Sequence, residues 1–111
     1  MNISKAFVLA ALLLGAGAAS ATSVAGAKIS RVRFEDNGFV AVTSTIVPGA
    51  GCRTATNEHY TFDGRTDLGR ARFTAALVAF ASQALVDISG TGTCTPLSTG
   101  LSENLTSITV R

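Results

Sequence analysis

The chain opens on an apolar block and then changes rhythm. Residues 6–14, Ala-Phe-Val-Leu-Ala-Ala-Leu-Leu-Leu, contain no polar side chain. From residue 29 onward, apolar and polar positions alternate in short runs, the period of strands that bury one face. Residues 29–34 read as a first strand with Val32 and Phe34 on one face. Asp36-Asn37-Gly38 follows at once. Asn-Gly favours a type I′ hairpin turn, because both residues tolerate positive φ. Residues 39–47, rich in Val, Thr and Ile, resume as a second strand. Pro48-Gly49-Ala50-Gly51 breaks that strand. Residues 58–62 read as a third strand, with Tyr60 and Phe62 on one face and His59 and Thr61 on the other. Asp63-Gly64 then turns the chain.

Helical spacing takes over next. Thr66 or Asp67 can cap a helix, since a short side-chain oxygen accepts from the free N–H groups of a first turn. Residues 68–84 predict that helix, with Phe73, Leu77, Phe80 and Ala84 on the face expected to pack on the sheet. The opposite side carries Ala71, Ala75, Val78 and Ala79, where an isolated surface helix would show charges. Residues 85–89 read as a fourth strand, Gly90-Thr91-Gly92-Thr93-Cys94 as a turn, residues 96–100 as a loop and residues 105–111 as a fifth strand. This order predicts an α+β, mainly β domain: a five-stranded Greek-key barrel of the OB type with its helix between strands 3 and 4. A plain α+β sheet with one covering helix fits the same order.

The opening block also changes how the composition reads. Lys5 precedes it, and the small-residue patterns Ala19-Ser20-Ala21 and Ala25-Gly26-Ala27 follow it. These are the three parts of a secretory signal. Cleavage after Ala21 suits a short region behind the apolar block, whereas cleavage after Ala27 would leave Lys28 first. The expected organisation is a signal over residues 1–21, cut as late as 27, and one disulfide-bonded domain over 28–111. An apolar run of about 10–14 residues falls short of the roughly 20 needed to span a bilayer. No stable membrane span is therefore expected after cleavage, and the expected location is secreted or periplasmic. Without the signal the chain is close to neutral: Lys28, Arg31, Arg33, Arg53, Arg65, Arg70, Arg72 and Arg111 stand against Glu35, Asp36, Glu58, Asp63, Asp67, Asp87 and Glu103. Nucleic-acid binding needs a clustered positive excess, and the pairs Arg31/Arg33 and Arg70/Arg72 are too sparse. Cys52 and Cys94 are the only cysteines, and in an oxidising compartment two cysteines allow one pairing.

Candidate chemistry is thin. His59 is the only histidine, and its neighbour Glu58 points to the opposite strand face, so adjacency makes no dyad. No nucleophile elbow surrounds Ser89-Gly90, and Gly90-Thr91-Gly92 lacks the helix that a phosphate loop needs behind it. Glu58, Asp63 and Asp67 do not match a calcium loop. Asn104-Leu105-Thr106 matches a glycosylation sequon at the start of a predicted strand. No catalytic residue, metal or cofactor is expected.

The segment Ala71-Arg72-Phe73-Thr74-Ala75-Ala76-Leu77-Val78-Ala79-Phe80-Ala81-Ser82-Gln83-Ala84-Leu85-Val86-Asp87-Ile88, followed by Gly90-Thr91-Gly92-Thr93-Cys94, runs a helix straight into a strand. It resembles the helix–strand core of small exported bacterial proteins related to the B subunits of subtilase-type and pertussis-type toxins. The resemblance implies an OB fold with a disulfide, glycan binding and a ring of subunits whose central helices would bury Ala71, Ala75, Val78 and Ala79. None of that family's sugar-contacting residues has a counterpart here, so the resemblance implies no binding residue and no catalytic partner subunit. The function expected is an exported, non-catalytic binding module with a glycan or protein ligand, working as a homo-oligomer. The alternatives are a structural or inhibitory protein acting through protein contacts, and a small hydrolase using His59.

Overall fold

The computed structural model describes residues 21–49, 52 and 58–111. The expected signal, apart from Ala21, and residues 50 and 51 of the predicted loop lie outside them. The elements in chain order are β1 (Ser23–Ala27), β2 (Ile29–Phe34), β3 (Phe39–Ser44), β4 (Tyr60–Asp63), α1 (Asp67–Ser82), β5 (Val86–Leu97) and β6 (Gly100–Val110). Among the described residues the strands form one six-stranded sheet in the order β1-β5-β6-β4-β3-β2. Neighbours are antiparallel except β4 and β6, which run parallel. The domain is thus mainly β with one helix, as expected, but with six strands where five were predicted. The extra strand is β1, Ser-Val-Ala-Gly-Ala, whose small residues read as part of a leader rather than as a strand. Only Lys28 separates β1 from β2, and these two are the edges of the sheet.

The first hairpin forms where predicted, with a different turn. Gly38 N–H donates to Glu35 C=O at 3.0 Å, and Glu35 N–H donates to Phe39 C=O at 2.8 Å. Gly38 has φ 92°, whereas Asn37 is not at positive φ, so the turn is not type I′. Asn37 acts instead through its side chain, whose Oδ1 accepts from Phe39 N–H at 3.1 Å. β3 stops at Ser44, short of the predicted residue 47, where the Ser44 hydroxyl donates to Ile46 C=O at 2.5 Å and bends the chain from the ladder.

The second hairpin departs further from expectation. Gly90 to Cys94, predicted as a turn, lies inside β5, and the chain reverses only at Ser98 and Thr99. The glycines absorb two register shifts against β6, one between Ser89 and Gly90 and one between Gly90 and Cys94, with Gly92 at φ 83°. A bulge uses the same permissive residues as a turn, so sequence alone does not separate them.

The helix is capped by Thr66, whose hydroxyl accepts from Gly69 N–H at 2.8 Å, and ends at Gln83 in the left-handed conformation, φ 57°. Ala84 therefore lies beyond it. The face buried on the sheet is Gly69, Ala76 and Ala79, with Phe73 packed partly against the core. Leu77 and Phe80, predicted to face inward, are each 41% exposed. At its first turn the helix sits tight against the chain that leads into it: a Cβ built on Gly69 would stand 1.8 Å from Asp63 C=O. The residues buried on the helix are thus its small ones, and Leu77 and Phe80 stay partly exposed. The helix packs on β2 and β6. Beneath it lies a core of Ile29, Val40, Val42, Tyr60, Phe62, Val86, Ile88 and Leu105.

Gly-to-Ala in an exposed helix ordinarily stabilises by about 1 kcal/mol. At Gly69 the sign should reverse: Gly69→Ala is expected to lower the melting temperature, at a cost of about 1–3 kcal/mol from overpacking. A melting temperature that rises would disprove the close approach.

Candidate functional site

Two glutamates are buried in the sheet, Glu58 at 1% exposure and Glu103 at 2%. Glu58 lies just ahead of β4, and Glu103 lies on the parallel partner β6, where its Cα pairs with that of Tyr60. A buried carboxylate needs partners, and the two find different kinds.

Glu58 has cations. Arg33 on β2 forks onto it, Nε to Oε2 at 2.9 Å and Nη2 to Oε1 at 2.9 Å. Thr99 Oγ1 donates to Oε1 at 2.5 Å, and Arg31 Nη2 stands 4.0 Å away. The two arginines alternate with Val32 along β2. Arg33 also pairs through Nη1 with Glu35, whose carboxylate accepts from the hydroxyl and N–H of Ser98. The forked bond from Arg33 holds the Glu58 carboxyl below its ordinary range against the opposing push of burial, helped by Thr99 and by the positive charges. The bond to Glu58 pushes the Arg33 guanidinium up. This network ties β2, the entry to β4 and the β5–β6 reversal together.

Glu103 has neutral donors. Oε2 accepts from Gly92 N–H at 2.9 Å and from Thr22 N–H at 3.0 Å, and Oε1 accepts from Thr22 Oγ1 at 2.5 Å. Thr22 Oγ1 also lies 2.9 Å from the Tyr60 hydroxyl. Burial pushes the Tyr60 phenol up, with the Glu103 charge adding to it. Gly90 makes room for the carboxylate, since a Cβ there would lie 2.2 Å from Oε2. Neither Thr22 nor Glu103 stands out in the sequence; their meeting depends on β1 pairing with β5, whose signal is weak.

Cys52 and Cys94 are bonded, with Cα atoms 5.5 Å apart. Of the alanine face, Ala79 is fully buried on the sheet and does not belong to a free surface. Ala71 and Ala75 flank a shallow hollow of about 290 Å³ between α1 and β6, lined also by Leu68, Arg72, Thr106, Ser107 and Ile108. Val78 is 54% exposed. His59 is buried, and its Nδ1 accepts from Ser44 N–H at 3.2 Å, which gives it a role within the sheet. Glu58, Asp63 and Asp67 do not converge; each bonds a different arginine, Arg33, Arg65 and Arg70. Among the described residues no group of His, Cys, Asp or Glu is placed to hold a metal ion, and no helix is long and apolar enough to cross a membrane. Asn104 of the sequon donates from Nδ2 to Thr93 Oγ1 at 2.8 Å and accepts from the Thr95 hydroxyl. Compared with known proteins, the chain matches no family model and no curated sequence.

Two outcomes test the Arg33–Glu58 network. Arg33→Leu strands a buried carboxylate and should destabilise by about 3 kcal/mol. Adding Glu58→Leu should recover most of that loss; equal instability of the single and double variants in urea melts would refute the pairing. The second test is pH. Because folding lowers the Glu58 pKa, its contribution is complete above the ordinary glutamate value of about 4.3 and is lost as pH falls through the folded value. Stability should fall steeply below pH ~4.5 and less steeply in Glu58→Gln. Parallel curves for the two proteins would count against this assignment.

Proposed function

We propose that this chain is an exported, non-catalytic binding module of the OB type that works as a homo-oligomer, with glycan as its expected ligand class. The OB reading takes β1 and β2 as two halves of one strand bent at Lys28. On that reading the order has five strands with the helix between the third and fourth, the arrangement expected of an OB-type barrel. Export rests on the charged start, apolar block and small-residue sites at the beginning of the sequence, and the bonded cysteines suit an oxidising compartment.

The observation that carries the oligomer is the surface of α1. From Phe73 to its end at Ser82 the helix has no charged residue, yet Leu77 and Phe80 are each 41% exposed and Val78 is 54% exposed. Leu68, at the other end of the same helix, is 59% exposed. A lone surface helix turns charges to water, so an uncharged one is best explained by burial against another subunit. The glycan class rests on the toxin B-subunit resemblance alone.

Light scattering should find the exported protein oligomeric at micromolar concentration. Val78→Glu should dissociate it with the circular dichroism spectrum unchanged, because that side chain is 54% exposed on the domain surface. A monomeric wild-type protein would remove the assembly. A glycan array on the same protein tests the ligand class: selective sugar binding supports it, and a blank array refutes it.

A further inference from the structure

Among the described residues Glu103 is a buried carboxylate without a cation: no ion pair includes it. Glu58, equally buried, has Arg33 and Arg31. A lone buried charge is costly, and neutral donors offset that only in part. One of the donors to Glu103 is the backbone nitrogen of Thr22, 3.0 Å from Oε2. The residue before it, Ala21, closes the small-residue pattern Ala19-Ser20-Ala21 and is exposed.

We infer that a signal-type peptidase cuts the Ala21–Thr22 bond and that the α-ammonium so created on half-buried Thr22 is the counter-ion of buried Glu103. The inference rests on the export reading above. In the step, water adds across the peptide bond, leaving a carboxylate on Ala21 and an amine on Thr22 that takes up a proton at neutral pH. The new charge arises at an atom already at hydrogen-bond distance from the carboxylate, so the folded domain needs no rearrangement to form the pair. The rest of Thr22 is held in place. Its hydroxyl donates to Glu103 Oε1 at 2.5 Å and lies 2.9 Å from Tyr60 OH, and its C=O accepts from Gly90 N–H at 2.9 Å.

The same geometry argues against the other candidate bond, after Ala27. Ala27 is 1% exposed and pairs with Val86 in the sheet. Cleavage there would remove Thr22 and all of β1, leave Val86 and Ile88 on β5 without their β1 ladder partners, and leave Glu103 with Gly92 N–H as its remaining donor among those described.

The test is to express the whole chain in a secreting host, collect the exported protein and determine its first residues and intact mass. The expected sequence is Thr-Ser-Val-Ala-Gly, beginning at Thr22. The α-amine is then labelled with an acylating reagent that attacks only free amines, with exposed Lys28 as the internal reference. Pairing with Glu103 raises the α-amine pKa, and each unit lowers the reactive fraction about tenfold. Labelling of Thr22 in the folded protein should be at least about tenfold slower than in the same protein unfolded in urea. Glu103→Gln, where it folds, should abolish the protection. Export with cleavage at any other bond overturns the inference and leaves the export reading standing. Absence of any cleavage overturns both. A cut at Thr22 with an α-amine as reactive folded as unfolded overturns the ion pair.

Discussion

The shortest strand holds the sheet together. In the strand order, β4 is the sole link between the β2–β3 hairpin and the β5–β6 hairpin with its edge strand β1. Its parallel contact with β6 rests on Tyr60 opposite Glu103 and Thr61 opposite Asn104. Tyr60, Thr61 and Phe62 are all buried, so both faces of β4 are covered. A junction this short needs support from outside the ladder. Ser102 donates its hydroxyl to Glu58 C=O at 3.4 Å, and the Thr61 hydroxyl donates to Val40 C=O at 2.7 Å.

The disulfide and the two buried glutamates act at the same junction. Cys52 precedes β4 and Cys94 lies on β5 directly opposite Glu103, so the bond staples one side of the junction to the other. Closing a loop with a sequence separation of 42 corresponds to about 4 kcal/mol in the chain-entropy model. Glu58 draws β2 and the β5–β6 reversal onto the entry of β4 through Arg33 and Thr99. Glu103 draws in β1 and the bulged part of β5 through Thr22 and Gly92. Burying charge at a junction is expensive, and each carboxylate is held there by several donors at once.

The helix stands apart from this polar framework. It needs only Gly69, Ala76 and Ala79, with Phe73, to sit on the sheet, and its larger apolar side chains look outward. The proposed assembly follows from that surplus, as the domain's own core leaves Leu77, Val78 and Phe80 uncovered. Phe34 on β2 is also exposed, and its ring centroid lies 4.5 Å from that of Phe73, which extends the apolar surface from the helix onto the sheet edge.

The sequence by itself determined the local features: the first hairpin at Gly38, the capped helix after Thr66, a mainly β order with one helix, and the pairing of its only two cysteines. Each depends on residues close in the chain, or on a count of two. The sequence did not determine which glycines bend a strand and which reverse it, so Gly90 and Gly92 read as a turn and proved to be bulges. Nor did it determine which helix face goes inward. Periodicity favoured Phe73, Leu77 and Phe80, whereas the structure buries Gly69, Ala76 and Ala79. The meeting of Thr22, Tyr60 and Glu103, and of Arg33 with Glu58, was decided by the tertiary structure alone. Those residues lie 25 to 81 positions apart, and only the strand order brings them together.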